Sequence, residues 1–466
     1  MRRKQANLLT YVTAAILLVW LMGQLILMSC HFGPQGGDWG HYIALARQCY
    51  DAGQWYPMAE NIREDNYIFA PGLVNLLSAE ARICHGIWVN KWLYLLMNIG
   101  VMAMTADMAR RMFSAKVACR TLIISCLLYS NWFITLSANS ELPFLFLCIT
   151  GLWMVVFSEN QGKCWHGGPR RWTIGTVYLV AGICMALANW IRPLGFIYVL
   201  AVILFAAITV KGEHSLRRIV SRGMVVIIGF GMMVAVIGET TRMRTGHFIC
   251  QSTTGGFNLI MSANDLAFGG VDTQAWQDPS STAYIQDIER YDCLQRDSIW
   301  RTRAVEWIGK HPVRYTALYL KKMPILFAED SWTDQRVFPS DQFYYKWRHG
   351  EYTSKEVALK LLLKMSKSIP YYIMLVLAVW GMVESWRRHD RYGIWLMAVL
   401  VAVVMVTCLF PVQPRYHYPV LWILIVMASK GVEMLANISN NIRFVLHLVP
   451  HGFRHIQQNN IIFKKK

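Results

Sequence analysis

Apolar runs recur along this chain at roughly 17–22 residues each, the length a helix needs to cross a bilayer, and that repetition constrains the fold more than any other feature. Read along the sequence they fall at residues 8–29, 87–106, 117–136, 142–157, 173–190, 194–210, 223–238, 369–385, 393–410 and 418–436. With 55% hydrophobic and only 16% charged residues, the composition agrees. A backbone in hydrocarbon must satisfy its own polar groups, so such runs are helices. The expected fold is an all-α polytopic membrane protein of about ten transmembrane helices with an α-rich outer domain. The first run, Leu8 to Ser29, is too long for a signal-peptide core, and no small-residue cleavage site follows it, so it is expected to be retained.

Positive charge orients these helices. Arg2, Arg3 and Lys4; Arg110, Arg111, Lys116 and Arg120; Lys163, Arg170 and Arg171; Lys211, Arg217, Arg218 and Arg222; Arg387, Arg388 and Arg391; and Lys464, Lys465 and Lys466 all fall on one side of a ten-span topology. That side is cytoplasmic, and the opposite side is called outer below. The same distribution disposes of nucleic acid as the reason for a net charge of +18, because the basic residues sit in short loops and tails and form no groove. The segments expected are an N-terminal transmembrane module at 1–238 with a first outer loop at 30–86, an outer domain at 239–368, C-terminal helices at 369–436 and a basic cytoplasmic tail at 437–466.

Within the outer segments, Asp38 to Tyr50 reads as a short helix capped by Asp38 and stopped near Gly53. Further short helices are expected at Gly72–Ile83, Ser298–Gly309 and Val313–Phe327, the last two parted by His311-Pro312. The eleven cysteines are scattered, with no C-x-x-C pair and no metal-ligand spacing, and read mainly as small core residues.

The polar residues that could carry chemistry gather on the outer side. Asp38, in Gly36-Gly37-Asp38-Trp39, serves equally as a helix cap and as a carboxylate placed to take a proton. Glu141, beside Pro143, suits a helix start and also a cavity wall. Arg192 and Arg415 are cations on the wrong side for orientation; headgroup contact explains them, and so does bidentate grip on a lipid-linked phosphate. Tyr42 and His417 stand beside these groups. Gly255, Gly256 and Asn258 form a turn whose free N–H groups could face an anion or a sugar. The aromatic segment 332–348 reads first as a membrane-interface belt. No P-loop, dinucleotide fingerprint, nucleophile elbow or metal-ligand cluster appears, which argues against hydrolases and nucleotide-driven pumps.

The order of these motifs resembles a family. An acid after the first span, an outer Ser140-Glu141-Leu142-Pro143 turn, Arg192-Pro193-Leu194-Gly195, Gly255-Gly256-Phe257-Asn258, His311-Pro312 and Arg415-Tyr416-His417-Tyr418-Pro419 together resemble the GT-C membrane glycosyltransferases, nearest the bacterial protein mannosyltransferase and aminoarabinose-transferase branch. The resemblance implies a polyprenyl-phosphate sugar donor, a glycan, glycolipid or protein acceptor, and a bacterial inner membrane with the active face outward. It implies Asp38 as the catalytic acid–base group, with Asp38 and Tyr42 at the family's spacing, Arg415 and Arg192 on the donor phosphate, and Glu141 lining the same cavity. It names no certain cofactor and leaves a divalent metal open. Trp39 stands where many relatives carry a second acid, which speaks against a metal bridged by paired acids. The rival readings are a transporter of a lipid-linked saccharide and a non-catalytic assembly subunit; convergence of Asp38, Glu141, Arg192 and Arg415 in the fold separates the enzyme from the subunit.

Overall fold

The computed structural model describes residues 2–30, 32, 37–84, 91–160, 171–212, 214–270, 275–337, 343–348 and 350–435. The basic tail at 437–466 and the whole 161–170 connection, Cys164 included, lie outside the described residues. In chain order the helices are α1 (Arg2–Ser29), α2 (Gly37–Asp51), α3 (Ala59–Glu64), α4 (Pro71–Ile83), α5 (Lys91–Met112), α6 (Ala115–Leu127), α7 (Ser130–Phe133), α8 (Glu141–Asn160), α9 (Arg171–Ile191), α10 (Gly195–Thr209), α11 (Ser215–Thr245), α12 (Gly255–Ser262), α13 (Cys293–Lys310), α14 (Pro312–Leu326), α15 (Phe343–Arg348), α16 (Ser354–Lys367), α17 (Ile369–Arg387) and α18 (Arg391–Thr407). The last, α19 (Pro414–Leu435), opens with a 3-10 turn over Pro414–His417. The described residues form no extended strand, only an isolated bridge between Gly270 and Val412.

Seven of these helices, α1, α5, α8, α9, α11, α17 and α19, are long and apolar enough to cross a membrane, and the bent pair α6–α7 makes up to eight. Two further expected spans are the shorter apolar helices α10 and α18. The expected span at 117–136 is not continuous: the chain turns by 69° between Leu127 and Ser130. Side chains take up the backbone groups freed there. Asn131 Nδ2 donates to Ser125 O at 2.9 Å, Trp132 Nε1 to Cys126 O at 2.8 Å, and the Ser130 N–H to Asp330 Oδ2 at 3.0 Å. A broken helix survives in an apolar setting only with such replacements. The expected 223–238 span is the middle of the longer α11.

Small residues let the helices approach closely. A Cβ on Gly182 of α9 would stand 2.2 Å from Val226 O of α11, and one on Gly229 of α11 would stand 2.2 Å from Leu179 O of α9. Backbone-to-backbone packing of this kind replaces the hydrophobic drive that lipid cannot supply. The basic ends of the helices meet at one end of the bundle: Arg222 Nη1 lies 2.8 Å from Glu159, and Lys430 pairs with Asp390.

At the other end, the four short helices fall close to their expected places. α2 begins one residue early, so Asp38 sits in its first turn, while Gly53 at φ +65° ends it, with the Gln54 N–H bonded to Cys49 O at 2.9 Å. α13 has a capping box: Asp292 accepts from the Leu294 and Gln295 N–H groups, and Gln295 reaches back. Buried Lys322 of α14 ties the outer elements to the bundle, donating to Ser262 Oγ and, at 2.9 Å, to Cys408 O. Burial holds its pKa down to about 8.

Candidate active site

Four chain-distant segments meet at the outer end of the bundle, each contributing one charge. α2 brings Asp38, the start of α8 brings Glu141, the end of α9 delivers Arg192, and the turn opening α19 delivers Arg415. Asp38 and Arg415, 377 residues apart in sequence, form an ion pair. Arg192 Nη1 donates to Glu141 Oε1 at 2.6 Å and to Ser140 Oγ at 3.0 Å. Arg415 Nε lies 3.9 Å from the same Glu141 oxygen, so Glu141 stands between the two guanidiniums. The Tyr416 ring lies against both, at 5.2 Å from Arg192 and 5.4 Å from Arg415.

These residues line a cavity of about 150 Å³. Tyr42, one helical turn from Asp38 on α2, lines it too and stacks on Phe69 at 4.8 Å. Thr254, Gly255 and Asn258, at the start of α12, form another part of the wall. Glu141 is almost wholly enclosed, at 1% side-chain exposure, whereas Asp38 retains 38%. The acid that holds the arginines is therefore shielded, and the acid that could receive a proton is accessible.

The electrostatics of Asp38 follow from that geometry. Burial pushes its pKa up, but the charge and hydrogen bond of Arg415, with Arg192 and His41 behind them, outweigh burial and hold the carboxyl below its usual range. Tyr42 moves the other way: burial, reinforced by the charges of Asp38 and Glu141, raises its pKa and keeps the phenol protonated. Arg415 Nε is buried and finds no hydrogen-bond acceptor. A buried, unsatisfied guanidinium N–H at a cavity wall is costly unless a ligand completes it.

Two residues expected in the cavity lie elsewhere. The Gly256 N–H donates to Asp297 Oδ1 at 2.5 Å and the Phe257 N–H to the same oxygen at 3.3 Å, so the turn's donors are spent inside the protein. Gly256 is there for packing, since a Cβ would come within 1.9 Å of Asp297 O on α13. His417 is fully buried outside the cavity, with Nε2 3.4 Å from Asp330 Oδ1 and its ring stacked on Tyr371 at 4.9 Å. Helical geometry explains the displacement: two residues beyond Arg415, His417 points across the turn.

Sequence reading passed over Ser140 and Tyr416, both inside quoted motifs, and Asp297 and Asp330, which carried no local signal. Trp39, at the position considered for a second acid, is buried, with its ring 6.4 Å from that of Trp332. Among the described residues no three of His, Cys, Asp and Glu gather as they would around a metal. The cavity's two carboxylates each face a guanidinium, so this donor set does not fit a divalent cation.

No protein-family model matches the sequence, and no curated protein sequence matches it. Solved structures of similar chain path exist. The archaeal oligosaccharyltransferase AglB from Archaeoglobus fulgidus, in complex with an inhibitory peptide and a dolichol-phosphate, is 13% identical with a TM-score of 0.48; the match covers 94% of this chain and 52% of that one. This chain thus spans about half the length of that protein. ArnT from Cupriavidus metallidurans bound to undecaprenyl phosphate is 12% identical with a TM-score of 0.35, covering 91% of this chain and 78% of that one. Likeness at this level carries no argument about reacting groups or substrates.

Proposed function

We propose that this chain is an integral membrane glycosyltransferase that moves a sugar from a polyprenyl-phosphate donor to an acceptor hydroxyl at the outer face of the membrane, with inversion. One observation carries the reading: an accessible carboxylate and two arginine guanidiniums, supplied by segments far apart in sequence, line one cavity at the outer end of the bundle. A headgroup-snorkelling arginine would need no such partners.

The resting cavity holds two acids against two arginines. An incoming donor phosphate competes with Asp38 for Arg415 and supplies the acceptor that Arg415 Nε lacks. Arg192, held by Glu141 and Ser140, provides the second cation. Released from Arg415, Asp38 loses the contact that depresses its proton affinity and becomes a better base. The acceptor hydroxyl gives its proton to Asp38 as its oxygen bonds to the anomeric carbon. The bond from that carbon to the phosphate oxygen breaks on the opposite side, and its electron pair leaves on the polyprenyl phosphate. The arginines stabilise that growing charge with dipoles already in place.

The test compares cells carrying the wild-type chain with cells carrying Asp38→Asn, by mass spectrometry of envelope glycolipids, glycans and polyprenyl-phosphate sugars. Accumulated donor with one sugar missing from an acceptor is the expected result and names both substrates. An unchanged profile from a normally expressed variant removes Asp38 from the chemistry and moves the assignment to transport or assembly.

A further inference from the structure

A second, larger cavity lies on the other side of the end of α9. It holds about 560 Å³ and is walled by α4, α5, α8, α9 and α11. Its long wall is a stripe on α11: Met233, Val236, Ile237, Thr240 and Arg244, at helical spacing. From Met233 to Arg244 that stripe rises about 16 Å, close to half of a ~30 Å hydrocarbon core, so the groove is one leaflet deep. It is apolar until its outer end, where the chemistry changes.

Arg244 lines the groove there, and Arg82 adjoins it through the wall residue Trp55. Arg244 Nη1 donates to Trp55 O at 2.6 Å, and Arg82 lies over the Trp55 ring at 4.2 Å while donating to Gln54 O at 2.5 Å. Both guanidiniums converge on one turn, both bond to carbonyls, and neither forms an ion pair with a carboxylate among the described residues. Elsewhere at this end of the bundle, Arg192 and Arg415 are each matched by an acid. The groove and the polar cavity lie on either side of Ile191. α4 touches α9 between the two, and a Cβ on Gly72 would meet Ile191 and the Trp190 backbone at 2.9 Å.

We infer that this groove is a binding site for one anionic phospholipid of the outer leaflet, its acyl chain along the α11 stripe and its phosphate on Arg82 and Arg244. Charge complementarity selects an anionic head over a zwitterionic one. One-leaflet depth fits a phospholipid chain better than a long polyprenyl chain. The α4–α9 contact makes the occupant a lipid that braces the helices carrying Gly72 and Ile191, not the molecule that reacts at Asp38. The inference therefore stands or falls separately from the proposed transfer.

Native mass spectrometry of the full purified chain tests it, with phosphatidylglycerol and phosphatidylcholine of identical chains as probes. Wild type is expected to retain phosphatidylglycerol in preference, on the order of tenfold. Arg82→Gln with Arg244→Gln should abolish the preference, Arg244→Lys should keep most of it, and Ala79→Trp in the groove wall should reduce retention of both lipids. Equal retention of the two lipids by wild type, or full preference in the double glutamine variant, overturns the assignment. So does displacement of phosphatidylglycerol by undecaprenyl phosphate, which would give the groove to the donor.

Discussion

The two cavities that flank the outer end of α9 share one wall residue, Ile191, and little else. On one side four charged groups are drawn into mutual contact; on the other an apolar groove ends in two arginines bonded to backbone carbonyls. The difference separates two uses of an arginine at a membrane surface. Where acids hold the guanidinium, its direction is fixed and a ligand must displace a partner to bind, which suits a site that discriminates and reacts. Where only carbonyls hold it, an anion can be added without displacing a carboxylate, which suits a resident lipid.

Several substitutions break or sharpen that contrast. The largest effect is expected from Asp38→Asn, which should lower transfer by about 10²–10⁴-fold, as loss of a general base does, while the variant still folds. Arg415→Ala should cost about 10²–10³-fold through lost stabilisation of the leaving phosphate, read as the ratio of kcat/KM values. Gly256→Ala separates packing from ligand binding at the α12 turn. Its Cβ must push α12 off α13, so it should destabilise by about 1–3 kcal/mol in thermal unfolding. Ile191→Val trims the wall between the cavities and should cost about 1 kcal/mol.

Acid dependence sharpens the contrast further, because only the polar cavity contains a carboxylate with a depressed pKa of this kind. The folded-state pKa of Asp38 lies below the ordinary aspartate value of 3.8. Its contribution to stability is fully present above that unfolded value and is lost as pH falls through the lowered folded value. Replacing Arg415 with Gln removes the main lowering influence, leaving burial to raise the pKa. The acid-side loss of stability contributed by Asp38 should therefore disappear in Arg415→Gln, whose deficit against wild type shrinks as pH falls, a result checked by pH-dependent melting. Arg244→Gln should leave that loss in place.

Much of this architecture was legible because spans announce themselves by length and the short outer helices by caps and stops. Gly53, Pro71 and Pro312 mark boundaries that any chain of this sequence would respect, whereas the Asp292 cap starts α13 five residues before the Ser298 expected from sequence. The break at Leu127–Ser130 was not legible, since the residues that satisfy it include Asp330, 200 positions away. The same holds for Asp297, which captures the N–H groups that a Gly-Gly turn seemed from its sequence to leave open. Asp38, Glu141, Arg192 and Arg415 stood out one by one as polar residues in outer turns; which acid faces which arginine is a property of tertiary packing. The groove was invisible for a different reason. Its lining uses the same Leu, Ile, Val, Met and Phe as every lipid-facing surface, so only the arrangement of five helices distinguishes it.

The exchange of Arg415 from Asp38 to the donor phosphate is the central claim, and binding measures it without needing the sugar or the acceptor. Undecaprenyl phosphate would be titrated into the purified full chain, wild type against Asp38→Asn and Arg415→Gln. If Asp38 competes with phosphate for Arg415, Asp38→Asn should bind at least as tightly as wild type although its transfer is strongly reduced, and Arg415→Gln should bind more weakly. Weaker binding by Asp38→Asn, or unchanged binding by Arg415→Gln, would contradict the exchange.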